Sequence, residues 1–256
     1  MKILLVNDDG INAPGIRSLQ AALSAAGHDV IIVAPDTERS AASHSITLRK
    51  DIHATKIAPQ EWAISGTPVD CVVIALQKIL TEEIDLVISG INAGQNMGED
   101  VLYSGTVSAA VEAAMFGKRA MALSINAYKE QLFESATKWF IKLLELGIDS
   151  LTKPYEVINI NFPNIPFEEV KGLRLARTGH RKYYNFISII HEEEDNFSYR
   201  IGGDLPQWDL EPGTDSEAIN EGYISITPLG FELSKAEAFP PILSWIESRK
   251  LLEVKA

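Results

Sequence analysis

The sequence predicts an α/β fold in which a parallel sheet is wound with crossover helices. Two observations carry the prediction. Up to about residue 161 short apolar runs alternate with helical patterns. The runs are also nearly continuous in Val, Ile, Leu and Ala, as strands buried on both faces are. Strands are expected at Ile3 to Val6, Val30 to Ala34, Ile84 to Ser89, Ala120 to Ile125 and Glu156 to Ile160.

The connecting elements follow in order. Gly15 to Ala26 carries Ile16, Leu19, Leu23 and Ala26 at helical spacing, and Gly27 supplies its stop. Ile46 to Ile57 has a looser β character that suits an excursion or hairpin. Val69 to Leu80 reads as a helix holding Cys71, which fits a small buried hydrophobe better than a catalytic thiol. An Ala-rich helix runs through Val107, Val111, Ala114 and Met115. Ser135 to Gly147 forms another, with Ala136, Trp139, Phe140, Leu143 and Leu144 as its core face. From Gly172 the pattern changes. Tyr183 to Ile190 and Asn196 to Ile201 flank the acidic tract His191 to Asp195, which suggests a projecting hairpin with a solvated tip. A last helix, about Pro241 to Leu252, presents Ile242, Trp245, Ile246 and Leu252, an arm suited to burial against another subunit.

Composition narrows the function. At 256 residues and 46% hydrophobic content the chain can bury one large core. A net charge of -12 argues against gripping long nucleic acid along a basic surface. No run approaches the ~18 apolar residues of a membrane span, and no signal-peptide pattern opens the chain, so a cytoplasmic, membrane-free protein is expected. The single cysteine allows no intrachain disulfide.

The chemistry is concentrated at strand ends. In an open parallel sheet ligands bind outside the carboxyl ends of the strands. Three polar loops fall there: Asn7-Asp8-Asp9-Gly10, Pro35-Asp36-Thr37-Glu38-Arg39-Ser40, and Ser89 to Asn96. Adjacent carboxylates repel and raise one another's pKa unless a cation intervenes. Asp8 and Asp9, the Ser40 hydroxyl and the Asn92 amide oxygen are hard donors of the kind that suit magnesium, manganese or calcium. Each motif has a plainer reading: Asp-Asp-Gly as a turn, Ser40 as a cap, Asn92 as a turn residue. Their joint placement at strand ends favours the metal. Ser104-Gly105-Thr106, opening a helix, offers backbone amides, hydroxyls and the positive end of the helix dipole to a phosphate, although Thr106 alone suits an N-cap. His44 lies near a site loop, where a structural role outweighs one as proton donor. The G-x-G-x-x-G and G-x-x-x-x-G-K-[ST] fingerprints are absent.

Taken in order, Asn7-Asp8-Asp9-Gly10, Pro35-Asp36 with Arg39-Ser40, Gly66-Thr67-Pro68, Ser89-Gly90-Ile91-Asn92 with Gly94 and Asn96, Tyr103 to Val107, Gly213-Thr214-Asp215 and Gly222 to Leu229 resemble the SurE (survival protein E) family of metal-dependent nucleotidases. That resemblance implies a Rossmann-like three-layer α/β/α core with a mostly parallel sheet, about 1–171 and 204–235. It adds a projecting β-hairpin about 180–203 and a C-terminal helix about 241–252, whose exchange makes a homodimer or homotetramer. It also implies hydrolysis of nucleoside 5′- and 3′-monophosphates, with trimming of short polyphosphate in some members. One divalent cation per subunit, Mg2+ or Mn2+, falls on Asp8, Asp9, Ser40 and Asn92. Asn96, Ser104, Gly105 and Thr106 form the phosphate-contacting set. Ala41 departs from the family, where Gly commonly follows the serine.

The sequence does not choose between Asp8 and Asp9 as the group that takes a proton from the attacking water. A non-catalytic nucleotide-binding module is the rival from another class. A phosphatase of the haloacid dehalogenase type requires carboxylates two residues apart, and here they are adjacent. An acyl-transfer hydrolase lacks its G-x-S-x-G elbow.

Overall fold

Strand β1 (Lys2–Val6) turns Ile3 and Leu5 toward one apolar layer and Leu4 and Val6 toward another, so the sheet has a core on each face. The computed structural model describes residues 1–182, 187–193, 196–201, 207–231, 234 and 236–249. In chain order β1 is followed by helix α1 (Pro14–Ala25), β2 (Asp29–Pro35), β3 (Ala54–Ala58), β4 (Glu61–Ile64), α2 (Pro68–Ile74), β5 (Leu86–Ala93), α3 (Gly105–Met115), β6 (Ala120–Ile125), α4 (Phe133–Glu145) and β7 (Glu156–Phe162). The remainder comprises β8 (Leu173–Leu175), β9 (His180–Lys182), β10 (Ile187–Glu193), β11 (Asn196–Ile201), β12 (Gln207–Asp209), α5 (Asp215–Asn220), β13 (Ile224–Gly230) and α6 (Phe239–Ser248).

Among the described residues nine strands form the main sheet, in the order β3-β4-β2-β1-β5-β6-β7-β13-β8. Strands β4, β2, β1, β5, β6 and β7 run parallel. Strand β13 lies antiparallel to β7. Helices α1 and α4 cover one face and α2 and α3 the other. The expected three-layer α/β/α core is therefore present. From β1 the chain winds outward to β2 and β4, then crosses back to β5 on the other side of β1, so the strand order reverses around β1. Such a switch point opens a crevice at the carboxyl ends of β1 and β5.

Local chemistry sets the helix ends. Pro14 fixes the first turn of α1, and Gly27 adopts φ +82° just past its end. Ala26, expected in the core, is exposed because the helix has already stopped. Thr67 and Asp70 form a capping box at the start of α2, and Ser104 caps α3 through the Val107 amide. Cys71 is buried as expected, and burial pushes its thiol pKa well up.

Several boundaries differ from the sequence reading. Of the span expected to have β character, Ile46 to Ile57, residues 46–53 form no strand; the hairpin lies later, where β3 pairs with β4. Strand β5 begins at Leu86 and runs through the expected loop to Ala93, with an irregularity against β6 between Ser89 and Asn92. The arm is an isolated β10–β11 pair in which His191 to Glu193 belong to the strand rather than the tip. Residues 183–186 of the expected hairpin and 194–195 of its acidic tip lie outside the described residues. Helix α6 starts two residues earlier than expected, and positions 250–252 also lie outside the described residues. No described helix is long and apolar enough to cross a membrane.

Candidate active site

Two strand-end loops are stitched together before any ligand is considered. The Ile11 amide donates to the Pro35 carbonyl at 2.8 Å, and the Arg39 amide donates to the Asp8 carbonyl at 2.7 Å. Asn7 Nδ2 closes the first turn by donating to the Gly10 carbonyl at 2.8 Å, and Gly10 takes φ +100°, which a side chain would strain. The Ser43 amide and hydroxyl donate to the carbonyls of Tyr103 and Leu102 at 3.1 and 2.7 Å. The loop carrying Ser40 is thereby fastened to both the β1 end and the entry to α3.

These contacts enclose a cavity of about 690 Å³ whose wall includes Asp8, Ser40, Asn92, Asn96 and Ser104. Five of the expected site residues thus meet in one space. Asp9, half-buried, adjoins that wall rather than lining it: its Oδ2 accepts at 3.0 Å from the amide of Ala93, which does line the cavity. Gly105 and Thr106 are buried behind the wall. A Cβ on Gly105 would come within 2.9 Å of Asp8 Cβ and Oδ2, so glycine is what lets the α3 N-terminus close on the carboxylate. Thr106 is 0% exposed and donates its hydroxyl hydrogen to Asp8 Oδ1. Its hydroxyl thereby orients the Asp8 carboxylate.

The carboxylates are held under electrostatic stress. Asp8 is 5% exposed, and burial raises its pKa despite hydrogen bonds from Thr106. Burial and the charges of Asp8 and Glu38 push Asp9 up to about 6 despite the Ala93 amide. Among the described residues neither carboxylate pairs with a basic side chain. Ser40 donates to Glu38 at 2.6 Å, and Asn92 Nδ2 donates to the Gly94 carbonyl at 2.7 Å, leaving the Asn92 amide oxygen for a ligand. Adjacent carboxylates, one buried and one half-buried, beside neutral oxygen donors fit a hard divalent cation. The described residues hold no group of three or more His, Cys, Asp or Glu placed for a metal, so a cation at the two carboxylates would take its further ligands from neutral oxygens such as those of Ser40 and Asn92.

Asn96 is positioned by residues that the sequence reading overlooked. Its amide donates to Asn161 Oδ1 at 2.8 Å, its carbonyl accepts from Asn159 and Asn161 at 2.9 and 3.0 Å, and its Nδ2 donates to Ser124 at 2.8 Å. The available signal was the alternation Asn159-Ile160-Asn161 in an otherwise apolar strand, which puts two amides on one buried face. Asp215, fully buried, accepts from the amides of Gly98 and Gly179 at 3.0 and 2.9 Å and so ties the Asn96 loop to β9. Arg181 on β9 lines the cavity and pairs with Asp100. His44 lies outside the wall, its Nε2 2.7 Å from Glu112 Oε2 on α3. Ala41 lines the cavity at φ +54°, the left-handed conformation in which glycine is unstrained.

Comparison with known proteins adds an independent line. The family model described as Survival protein SurE matches residues 3–185. The 5′-nucleotidase SurE of Synechococcus sp. (strain JA-3-3Ab) is 40% identical over 253 residues, covering 96% of this chain and 97% of its own. That of Stenotrophomonas maltophilia (strain K279a) is 40% identical over 249 residues, covering 96% of each. Among solved structures, the SurE protein from Aquifex aeolicus superposes with a TM-score of 0.84 at 34% identity, covering 96% of this chain and 100% of that one.

Proposed function

We propose, from the premise that this chain belongs to the survival protein SurE family, that it is a 5′-nucleotidase releasing phosphate from nucleoside monophosphates with the help of one divalent cation per subunit. The observation that carries the reading is the adjacent pair of carboxylates, Asp8 buried and Asp9 half-buried, without a cationic partner among the described residues at the switch point of the sheet. Asp8, Asp9, Ser40 and Asn92 would hold Mg2+ or Mn2+. Such an ion supplies Lewis acidity, drawing charge from the phosphoryl oxygens and making water a better nucleophile near neutral pH.

The chain's own residues supply position and exclusion of water. Thr106 fixes the Asp8 carboxylate and the Ala93 amide fixes that of Asp9. Asn96, clasped by Asn161, and Ser104, at the N-terminus of α3, face the cavity where the phosphoryl group would sit. Phosphoryl transfer passes through a loose transition state, so placement and charge stabilisation account for most of what a protein contributes. Hydrolysis of 3′-monophosphates and of short polyphosphate belongs to the same proposal, since a cavity of about 690 Å³ has room for more than a single phosphoryl group. Assembly as a dimer or tetramer through the arms is supported by the exposed apolar side chains of β10, β11 and α6.

The test is phosphate release from nucleoside 5′- and 3′-monophosphates and polyphosphate, with added Mg2+ or Mn2+ and after chelation. Turnover of 5′-monophosphates that chelation abolishes and cation restores is expected. Nucleotide binding without turnover under every condition would instead favour a binding module.

A further inference from the structure

The cavity is larger and less polar than a phosphate requires. Its volume of about 690 Å³ falls within the roughly 300–1,000 Å³ typical of pockets that enclose a whole small ligand. Asp8, Ser40, Asn92 and Ser104 supply polar chemistry. Tyr128, Tyr103 and Ile201 also line it and offer a phosphate little.

Tyr128 is the most firmly placed of these. Its ring lies against the backbone of Gly94, where a Cβ would come 2.6 Å from Tyr128 Cε1. Its hydroxyl accepts a hydrogen bond from Gln95 Nε2 at 3.2 Å, and Gln95 is itself only 7% exposed. The tyrosine nonetheless remains 56% exposed. A ring braced at its hydroxyl and along one edge, with much of its surface open, presents a flat apolar platform that loses little side-chain entropy when a planar ligand covers it. The ring packs on Gly94, which lies two residues beyond Asn92 in the same cavity wall, so the platform stands beside the phosphoryl end of the proposed site.

We propose that Tyr128 is the stacking platform for the nucleobase and a specificity-determining residue, selecting phosphomonoesters that carry an aromatic base over those that do not. The assignment rests on the nucleotidase reading and extends it from the phosphate to the rest of the substrate. Because Tyr128 projects from a surface loop, its replacement leaves the core packing untouched.

The experiment compares the wild type with Tyr128→Ala and Tyr128→Phe, using AMP as substrate and glycerol phosphate as substrate or competitive inhibitor. Stacking on an aromatic side chain predicts about a tenfold or greater fall in kcat/KM for AMP in Tyr128→Ala, carried by KM. The constant for glycerol phosphate should not follow it. Tyr128→Phe, which retains the ring, should restore AMP. An AMP to glycerol phosphate ratio that is the same in Tyr128→Ala as in the wild type overturns the proposal, whether both constants fall or neither does. If the wild type hydrolyses no nucleotide, the nucleotidase reading fails by itself. Calorimetric AMP binding then decides on Tyr128, and an unchanged Kd in Tyr128→Ala rejects the platform.

Discussion

The crevice at the ends of β1 and β5 and the arm made by β10, β11 and α6 are opposite solutions to surface exposure. In the crevice polar groups are buried and almost every one is tied down: Asp8 by Thr106, Asp9 by Ala93, Asn96 by Asn161 and Ser124. On the arm large apolar groups are left in solvent, among them Ile187, Ile189, Tyr199, Ile201, Ile242 and Trp245. The crevice therefore holds charge that no basic side chain among the described residues neutralises, and the arm holds apolar area that no described residue covers. One region stores its binding energy as unneutralised charge and the other as unburied area.

The largest effect that sharpens this contrast is expected at the carboxylates. Asp9→Asn should leave the protein folded while lowering the phosphatase rate by at least ~10²-fold, if charge stabilisation at the ion supplies a few kcal/mol of the barrier. A steady-state assay beside a circular dichroism melt checks it. Undiminished turnover in a folded variant would remove these residues from the chemistry.

The arm is tested by paired substitution of Ile189 and Tyr199, which face each other across β10 and β11, with Asp. Burying a large apolar side chain contributes about 1.5–3 kcal/mol, so losing two should weaken self-association at least tenfold while the sheet keeps its unfolding temperature. Sedimentation at several concentrations measures this. Unchanged mass would mean that this face of the hairpin does not cover another copy.

The smallest effect lies where the two regions join. Glu99, in the turn after Asn96, holds His180 at 2.6 Å and the Arg181 amide at 2.9 Å, and this contact raises the His180 pKa above its ordinary value of 6.5. A raised histidine pKa means the folded state holds the proton more tightly. Its contribution is complete below about 6.5 and disappears as pH climbs through the raised value. Hydrogen exchange at the Arg181 amide, corrected for intrinsic rates, should therefore lose a little protection over that rise. In His180→Gln the dependence should flatten, and an identical slope in both proteins would break the link.

Much of this architecture is legible in the residues themselves. Continuous apolar strands, helices stopped at glycine and the carboxylate pair after Val6 announce a parallel sheet with chemistry at its ends, because buried strands and strand-end turns demand those residue types. Strands β4 and β13 escaped notice because each is short or interrupted by polar residues, and their strand character depends on neighbours distant in the chain. The same holds for Asn159 and Asn161, whose partner Asn96 lies 63 and 65 residues away.

The amino-acid order by itself determined the layered α/β class, the loops that carry oxygen donors and the family to which the chain belongs, since periodicity and motif order are local properties. Only the tertiary structure decided that Asp8 lines the cavity with Thr106 buried behind it, that Asp9 is tied to Ala93 beside it, that β7 grips the Asn96 loop, and that Tyr128 lies on Gly94. Which way a side chain turns at a crowded edge depends on what packs against it, and that is set by the crossing of strands rather than by the residues on either side.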